Sequence, residues 1–185
     1  MEHKVADPAP LGLAAFAMTT FCLSSANAGW FKGGGVGAAV ALALIYGGTA
    51  QFAAGMWEFV RKNTFGALAF TSYGAFWIAF WLIVKAGAPG TDELGVFLLS
   101  WTIFTAYMTI ASFKTNTVVA SVFVFLTLTF AALTIGAWGA GHSGMTKAGG
   151  YLGIVTALLA WYGSMAGVVN ETHGKVVFPV GPLNG

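Results

Sequence analysis

Charged residues are scarce in this sequence. Lysine, arginine, aspartate and glutamate make up 8% of its 185 residues, whereas hydrophobic residues make up 57%. The mean hydropathy is +0.78. A folded chain of this composition lacks the polar surface that contact with water requires, so we predict an integral membrane protein. The eight basic residues are thinly spread and the net charge is only +2, which provides no surface for nucleic acid.

Cysteine and histidine are also scarce, which excludes several kinds of site. Cys22 is the single cysteine, so an intrachain disulfide is excluded. His3, His142 and His173 lie in terminal or loop segments and form no cluster that could bind a metal ion. The apolar runs contain hydroxyl groups but no histidine that could activate them as nucleophiles. We therefore predict no enzyme activity, no catalytic residues, no metal and no cofactor.

Six apolar runs are each long enough to cross a bilayer. They cover residues 10–28, 35–60, 64–85, 94–113, 115–138 and 148–169. We predict an all-α membrane protein, with one six-span domain over residues 1–185, a short N-terminal cap at 1–9 and a tail at 170–185. The second run is longer than the hydrocarbon core, so we expect it to tilt, protrude or break, most easily near residues 46–51.

The first run has a sharply defined beginning. Asp7 is suited to cap a helix, and Pro8 and Pro10 fall in the first turn, where backbone N–H groups have no intrahelical partner. Residues 26–28 also resemble a signal-peptide cleavage site. In a signal peptide a basic segment leads into the apolar run, but here Glu2 and Asp7 offset Lys4 and two prolines occupy that place, so we favour a retained first span.

Six spans would place both termini on the same side of the membrane. The basic residues on that side would be Lys4, Arg61, Lys62, Lys114 and Lys175, and those on the other side would be Lys32, Lys85 and Lys147. This excess favours cytoplasmic termini in a multi-pass protein of the plasma membrane. The apolar residues 176–180 suggest that part of the tail contacts the membrane surface.

Neutral polar groups near the middle of the spans are the candidate binding groups. We predict a substrate pathway formed by Phe16, Thr19, Thr20, Gln51, Thr71, Ser72, Tyr73 and Leu126. A few hydrogen-bonding groups beside bulky apolar residues suit a small solute that passes a hydrophobic constriction. Gln51 could instead hold a neighbouring helix.

Other polar residues have a structural interpretation that we favour. Thr102, Thr105 and Thr109 are expected to bond to carbonyl groups of their own helix. Glu58 and Arg61 form a candidate proton or ion-pair site, and we favour a salt bridge from Glu58 to Arg61 or Lys62.

Glycine pairs four residues apart recur in the chain. They are Gly33 and Gly37, Gly149 and Gly153, and Gly163 and Gly167. This spacing lets helices approach closely, and we favour packing within one bundle over contact between subunits.

Several motifs together resemble the acetate uptake transporter family of the succinate-acetate permease type. Residues 7–13 are similar to its N-P-A-P-L-G-L signature, and residues 46–58 resemble its second-span pattern, with Gln51 and Glu58 in place. Residues 63–77 are similar to the third span, and the resemblance extends to residues 160–162 and Asn170.

This resemblance implies a six-helix subunit that assembles as a homo-hexamer in the bilayer. Each subunit would have its own path for acetate and, in some members, succinate or other small carboxylates, used as a channel or a proton-coupled carrier. By resemblance, Phe16 and Tyr73 form aromatic walls of the constriction, and the entrance motif comprises Asp7, Pro8, Pro10, Gly12 and Leu13.

Asp7 departs from the family pattern, which has asparagine at this position. An ionised aspartate offers only acceptors and would repel a carboxylate, so this side chain is a poor anion ligand. Two other functions remain open: a channel for another small neutral or weakly acidic solute, and a membrane accessory subunit that transports nothing.

Overall fold

The computed structural model describes residues 5–31, 35–87, 89–138 and 143–183. These residues contain six helical segments that are long and apolar enough to span a membrane. The elements are α1 (Ala9–Asn27), α2 (Gly37–Leu44), a π-helical segment (Ile45–Ala50), α3 (Gln51–Val60), α4 (Thr64–Lys85), α5 (Thr91–Ser112), α6 (Thr117–Ala137) and α7 (Ser143–His173). The predicted all-α fold with six spans is confirmed. His3, His142, Lys4, Lys32 and Gly33 lie outside the described residues.

The first helix begins close to the predicted position, but its cap differs. Pro8 is the N-cap residue. The Asp7 carboxylate accepts a hydrogen bond from the Ala9 N–H at 3.1 Å. Asp7 therefore lies one residue before the cap, because the restricted φ of Pro8 already places that proline near helical geometry.

The second span widens at the place where a break was expected. Residues 45–50 form a π-helical turn between α2 and α3, and Thr49 Oγ1 donates to the Leu44 carbonyl at 2.8 Å. A Cβ atom at Gly47 would lie only 2.5 Å from Thr19 Oγ1, so a glycine is needed for this close approach to α1. The span is thus continuous, and its π turn changes the register of the residues that follow.

α5 and α7 are each longer than the apolar run that predicted them. α5 begins at Thr91, with Asp92 and Glu93 in its first turn, where acidic side chains interact favourably with the helix dipole. α7 extends from Ser143 to His173, so the first residues of the predicted tail are helical. Hydropathy marks the part of a helix that lies in lipid and does not mark its polar ends.

The spans form a closed ring. α1 packs on α7, α7 on α6, and α6 on α5, while the second span packs on both α1 and α4. α4 also contacts α5, which completes the ring. The core within the ring is rich in aromatic residues, including Phe16, Tyr73, Phe76, Phe123 and Phe130.

Most of the paired glycines pack inside this ring. Gly149 faces Leu133 of α6, and Gly153 faces Ser24 of α1. Gly167 lies against Pro10, so α7 approaches α1 closely along much of its length. Packing within the bundle is therefore confirmed for these glycines.

The threonines of α5 bond to their own helix as predicted. Thr102, Thr105 and Thr109 donate to carbonyl groups four residues earlier at 2.9, 2.7 and 2.8 Å. Their oxygens also link helices, because Thr102 contacts Thr134 and Thr109 contacts Thr127 across the α5–α6 interface.

The tail docks on protein. Thr117 N–H donates to the Gly181 carbonyl at 2.7 Å, and Leu183 N–H donates to the Thr115 carbonyl at 3.0 Å. Asn170 accepts from the N–H groups of Val177 and Phe178 and donates to the Phe178 carbonyl. These contacts connect the end of α7 to the start of α6.

Candidate functional site

A cavity of about 180 Å³ lies where several helices end. We call it the first cavity. Its apolar wall includes Leu13, Phe16, Tyr73, Phe123 and Leu126. Its polar wall consists of Gln51, Glu58, Asn63, Thr115 and Asn116.

Three helices begin at the first cavity. Ala9 of α1, Gly66 in the first turn of α4 and Asn116 at the start of α6 all line it. The N-terminal ends of helices carry partial positive charge. The cavity is therefore suited to attract an anion without a basic side chain in its wall.

Two asparagines shape this wall by capping helices. Asn63 Oδ1 accepts from the Gly66 N–H at 3.1 Å, and Asn116 Oδ1 accepts from the Val119 N–H at 2.9 Å. Asparagine is a favoured N-cap residue because its short side chain reaches these N–H groups. The Asn63 amide also donates to Glu58 Oε2 at 2.9 Å.

A second cavity, of about 320 Å³, lies further along the same helices. Its wall is mainly apolar and includes Leu23, Phe76, Phe97 and Phe130, with Thr146 among its few polar residues. The two cavities share no lining residue.

Five buried side chains separate the cavities, and we call them the apolar collar. They are Phe16, Tyr73, Leu126, Phe76 and Phe130, each between 3% and 5% exposed. The first three line the first cavity and the last two line the second. Phe76 and Phe130 follow Tyr73 and Leu126 by three and four residues, about one helical turn. The collar is thus two layers of side chains thick.

The rings of the collar contact one another. The ring centroids of Phe16 and Tyr73 are 5.8 Å apart, and those of Phe76 and Phe130 are 5.4 Å apart in an edge-to-face arrangement. Tyr73 donates its hydroxyl hydrogen to Thr105 Oγ1, because that oxygen gives its own hydrogen to the Trp101 carbonyl. Tyr73 therefore presents ring surface to the cavity and uses its donor to hold its orientation.

Comparison with known proteins identifies the family of this chain. Residues 1–185 match the GPR1/FUN34/yaaH family. The chain belongs to this family. It is 42% identical to the succinate-acetate/proton symporter SatP of Escherichia coli strain K12, over 96% of both chains. It is 39% identical to acetate permease A of Emericella nidulans, over 96% of this chain and 66% of that protein.

A solved structure agrees with this assignment. The structure of the bacterial acetate channel SatP matches with a TM-score of 0.91 and 41% identity, covering 96% of this chain and 100% of that one. The predicted resemblance and the six-span fold are confirmed by this match and by the family assignment. Because the permease, the symporter and the channel named here are transport proteins, the prediction that the chain is not an enzyme is also confirmed.

Against this family background, half of the predicted pathway residues line a cavity. Phe16, Gln51, Tyr73 and Leu126 all contribute to the first cavity. Thr19, Thr20, Thr71 and Ser72 line neither of the two cavities. Thr19 donates to the carbonyl of Ala15 at 2.9 Å. Within the described part of the chain, Thr20 Oγ1 and Thr71 Oγ1 are buried without a hydrogen-bond partner.

The residues predicted to form the entrance motif do not lie together. Leu13 lines the first cavity, and Gly12 packs against the ring of Phe70. Asp7 and Pro10 line a separate surface groove, and Pro8 caps α1.

The predicted ion pair forms with a different acid. Arg61 contacts Asp7 at 2.7 Å, with both side chains about a third or more exposed. Glu58 is instead only 1% exposed and bonds to Asn63, and it makes no salt bridge to any described residue. The favoured interpretation of Glu58 was therefore wrong, because its side chain turns inward from the helix end whereas Arg61 points outward.

The sequence did not predict that four further residues line the cavities: Asn63, Asn116, Phe76 and Phe130. An asparagine before each of two spans is a capping signal, but capping says nothing of a cavity. Phe76 and Phe130 lie one turn beyond predicted collar residues, and that spacing could have identified them.

Proposed function

We propose that this chain transports acetate and related small monocarboxylates, with succinate as a further candidate, across a membrane. The observation that carries the proposal is the pair of cavities on either side of an apolar collar. The names of the symporter, the permease and the channel that it resembles support the choice of substrate.

The path follows from the walls of the cavities. Helix N-termini at the first cavity draw the carboxylate in, and Gln51 provides a polar contact deeper in the same wall. Phe16, Tyr73 and Leu126 then admit only a small solute. Thr19, Thr20, Thr71 and Ser72 line neither cavity. Thr19 packs against Gly47 and Thr71 against Gly55, so these two residues position the second span, which carries Gln51.

The subunit is a single six-span domain that assembles as a homo-hexamer in the plasma membrane, with both termini in the cytoplasm. The hydrogen bond of Ser164 Oγ to the Pro10 carbonyl at 2.7 Å joins the last part of α7 to the start of α1, and this supports only the placement of both termini on the same side. Cross-linking of detergent-solubilised complexes, followed by mass measurement, tests for six copies of the chain.

Uptake of labelled acetate by liposomes containing the purified protein tests the function. We expect uptake well above that of protein-free liposomes, and competition by unlabelled acetate. Strong uptake of another small solute that acetate does not inhibit would favour a different channel activity. A complete absence of solute uptake, with a stoichiometric partner that co-purifies, would favour an accessory subunit.

A further inference from the structure

Glu58 is a buried acid in the wall of the first cavity, and its two oxygens have different environments. Oε2 accepts the hydrogen bond from Asn63 Nδ2. Oε1 is buried and has no hydrogen-bond partner among the described residues. It lies beside Gly66, where an added Cβ would be only 2.8 Å from it. Both Asn63 and Gly66 also line the cavity.

Asn63 determines which of these oxygens can carry a proton. Its Oδ1 atom accepts from the Gly66 N–H, and this fixes the orientation of the amide so that Nδ2 faces Glu58. Because an amide NH₂ group only donates, Oε2 of Glu58 must accept. A proton on Glu58 therefore belongs on Oε1, the oxygen without a protein partner.

No basic group in the described residues holds Glu58 in an ion pair. The charged groups that influence it are Asp7 and Arg61, which pair with each other at 2.7 Å. The neighbouring wall consists of neutral groups, namely Ala9 of α1, Asn63 before α4, and Thr115 and Asn116 before α6. Among the described residues, no ion pair therefore holds this proton. Oε1 itself is covered, so a side-chain movement must expose it to a molecule in the cavity.

Gln51 lies seven residues before Glu58, so the two side chains are on the same face of α3, about 10 Å apart along its axis. Gln51 Oε1 is also buried without a hydrogen-bond partner in the described ranges. This oxygen is an acceptor, and a carboxylate anion has no hydrogen to donate to it. A protonated carboxylic acid does have one, so the neutral acid can bond to both the oxygen and the NH₂ group of Gln51, whereas the anion can bond only to the NH₂ group.

We infer that Glu58 exchanges a proton with the carboxylate in the first cavity, and that Asn63 is a positioning residue for this exchange. The inference rests on the proposed function. The Oε1–H bond of Glu58 breaks, and its electron pair stays on Oε1 while an O–H bond forms on the carboxylate. The neutral acid then moves to Gln51 and through the collar.

The cycle closes with water. Glu58, left as a carboxylate, takes a proton from water on the side of the first cavity. A molecule arriving from the second cavity runs the steps in reverse, giving its proton to Glu58 and leaving as the anion. Each passage carries one carboxylate and one proton, so no net charge crosses the membrane.

The experiment compares the pH profile of acetate flux in liposomes for the wild type and Glu58→Gln. The amide can still accept from Asn63 and donate in place of Oε1, but it cannot transfer a proton. We expect wild-type flux to persist at pH 7, where acetate is almost entirely the anion, because Glu58 supplies the proton. The variant can pass only acid that is already neutral in solution, about 1% or less of the total at this pH, so its flux at pH 7 should be at least about tenfold below that of the wild type. Glu93→Gln, which removes an exposed acid of α5, should retain the wild-type profile.

Asn63→Asp tests the positioning role with the cap retained. The substituted side chain can still accept from the Gly66 N–H, but it places a second carboxyl beside Glu58. Two adjacent carboxyls resist joint ionisation, so the pH up to which flux persists should rise by at least about one unit. This result also tests the inference if Glu58→Gln fails to assemble.

The outcomes separate the two proposals. Identical pH profiles for the wild type and Glu58→Gln, or an unchanged profile in Asn63→Asp, would overturn the inference while acetate transport stands. An absence of acetate flux in the wild type would overturn both.

Discussion

Asp7 differs from the residue that the family resemblance leads us to expect, and it does not line the first cavity. Its carboxylate accepts from the Ala9 N–H and pairs with Arg61 on the protein surface. We predict that Asp7→Asn changes the free energy of unfolding by less than about 1 kcal/mol, because exposed ion pairs contribute little. Acetate flux should change less than about twofold, since Asp7 does not line the first cavity. Thermal unfolding in detergent and acetate flux in liposomes measure these effects. The control Arg61→Gln removes the same ion pair and should have effects of similar size. A loss of most flux in Asp7→Asn alone would contradict the placement of Asp7 outside the first cavity.

Gly12 is a residue whose small size is required. A Cβ atom there would lie 2.6 Å from the ring of Phe70, which also lines the first cavity. We predict that Gly12→Ala lowers the free energy of unfolding by about 1–3 kcal/mol through overpacking. The matched control is Gly37→Ala, because no atom lies within 4 Å of a Cβ at Gly37. Equal thermal stability of the two variants would show that the contact with Phe70 is unimportant.

For individual residues, the sequence showed which polar side chains lie near the middle of the membrane, but not which of them face a cavity. Gln51 and Thr19 both appeared at mid-membrane depth, yet only Gln51 lines a cavity. The π turn lies between the apolar run's beginning and Gln51, and it changes which side chains face inward. The depth of a residue in the membrane can be counted along the sequence. The direction in which its side chain points depends on local changes such as the π turn and on the neighbouring helices.

Among the elements, the tail is the part whose role the sequence least revealed. Contact of its apolar residues with the membrane surface stays a prediction, and backbone hydrogen bonds, which were not predicted, attach it to the start of α6. Tyr162 reinforces this attachment by donating to the Pro179 carbonyl at 2.8 Å. Such long-range backbone pairing leaves no periodic signal in sequence. The helices themselves were predictable, because their apolar lengths are set by the bilayer.

Asn170 should control the attachment of the tail. We predict that Asn170→Ala releases the segment after α7, since it removes the acceptor for two N–H groups and the donor to the Phe178 carbonyl. The loss should weaken tail docking by about 1–3 kcal/mol. Trypsin cleavage after exposed Lys175, followed by mass spectrometry, should become faster. Thr172→Ala is the control because Thr172 bonds to carbonyls of its own helix, and equal cleavage rates in both variants would contradict the prediction.

Across the described helices, a closed ring contains the first and second cavities, with the apolar collar between them. The sequence predicted three collar residues and spans with few charged side chains, because both can be read from residue type and from position within a span. It did not predict the second layer of Phe76 and Phe130 or the inward turn of Glu58. Those features depend on how helix ends meet, and helix ends are where hydropathy carries the least information.

The most direct test of the central claim is acetate flux through liposomes containing the double variant Phe16→Ala, Tyr73→Ala. If the collar limits passage, removing these two rings should raise flux on the order of tenfold, equivalent to about 1.4 kcal/mol of barrier. Met108→Ala is the control, since Met108 is buried in the core but lines neither cavity. Flux that stays at the wild-type level in the double variant, with the protein folded and assembled, would contradict the claim that the collar is the constriction.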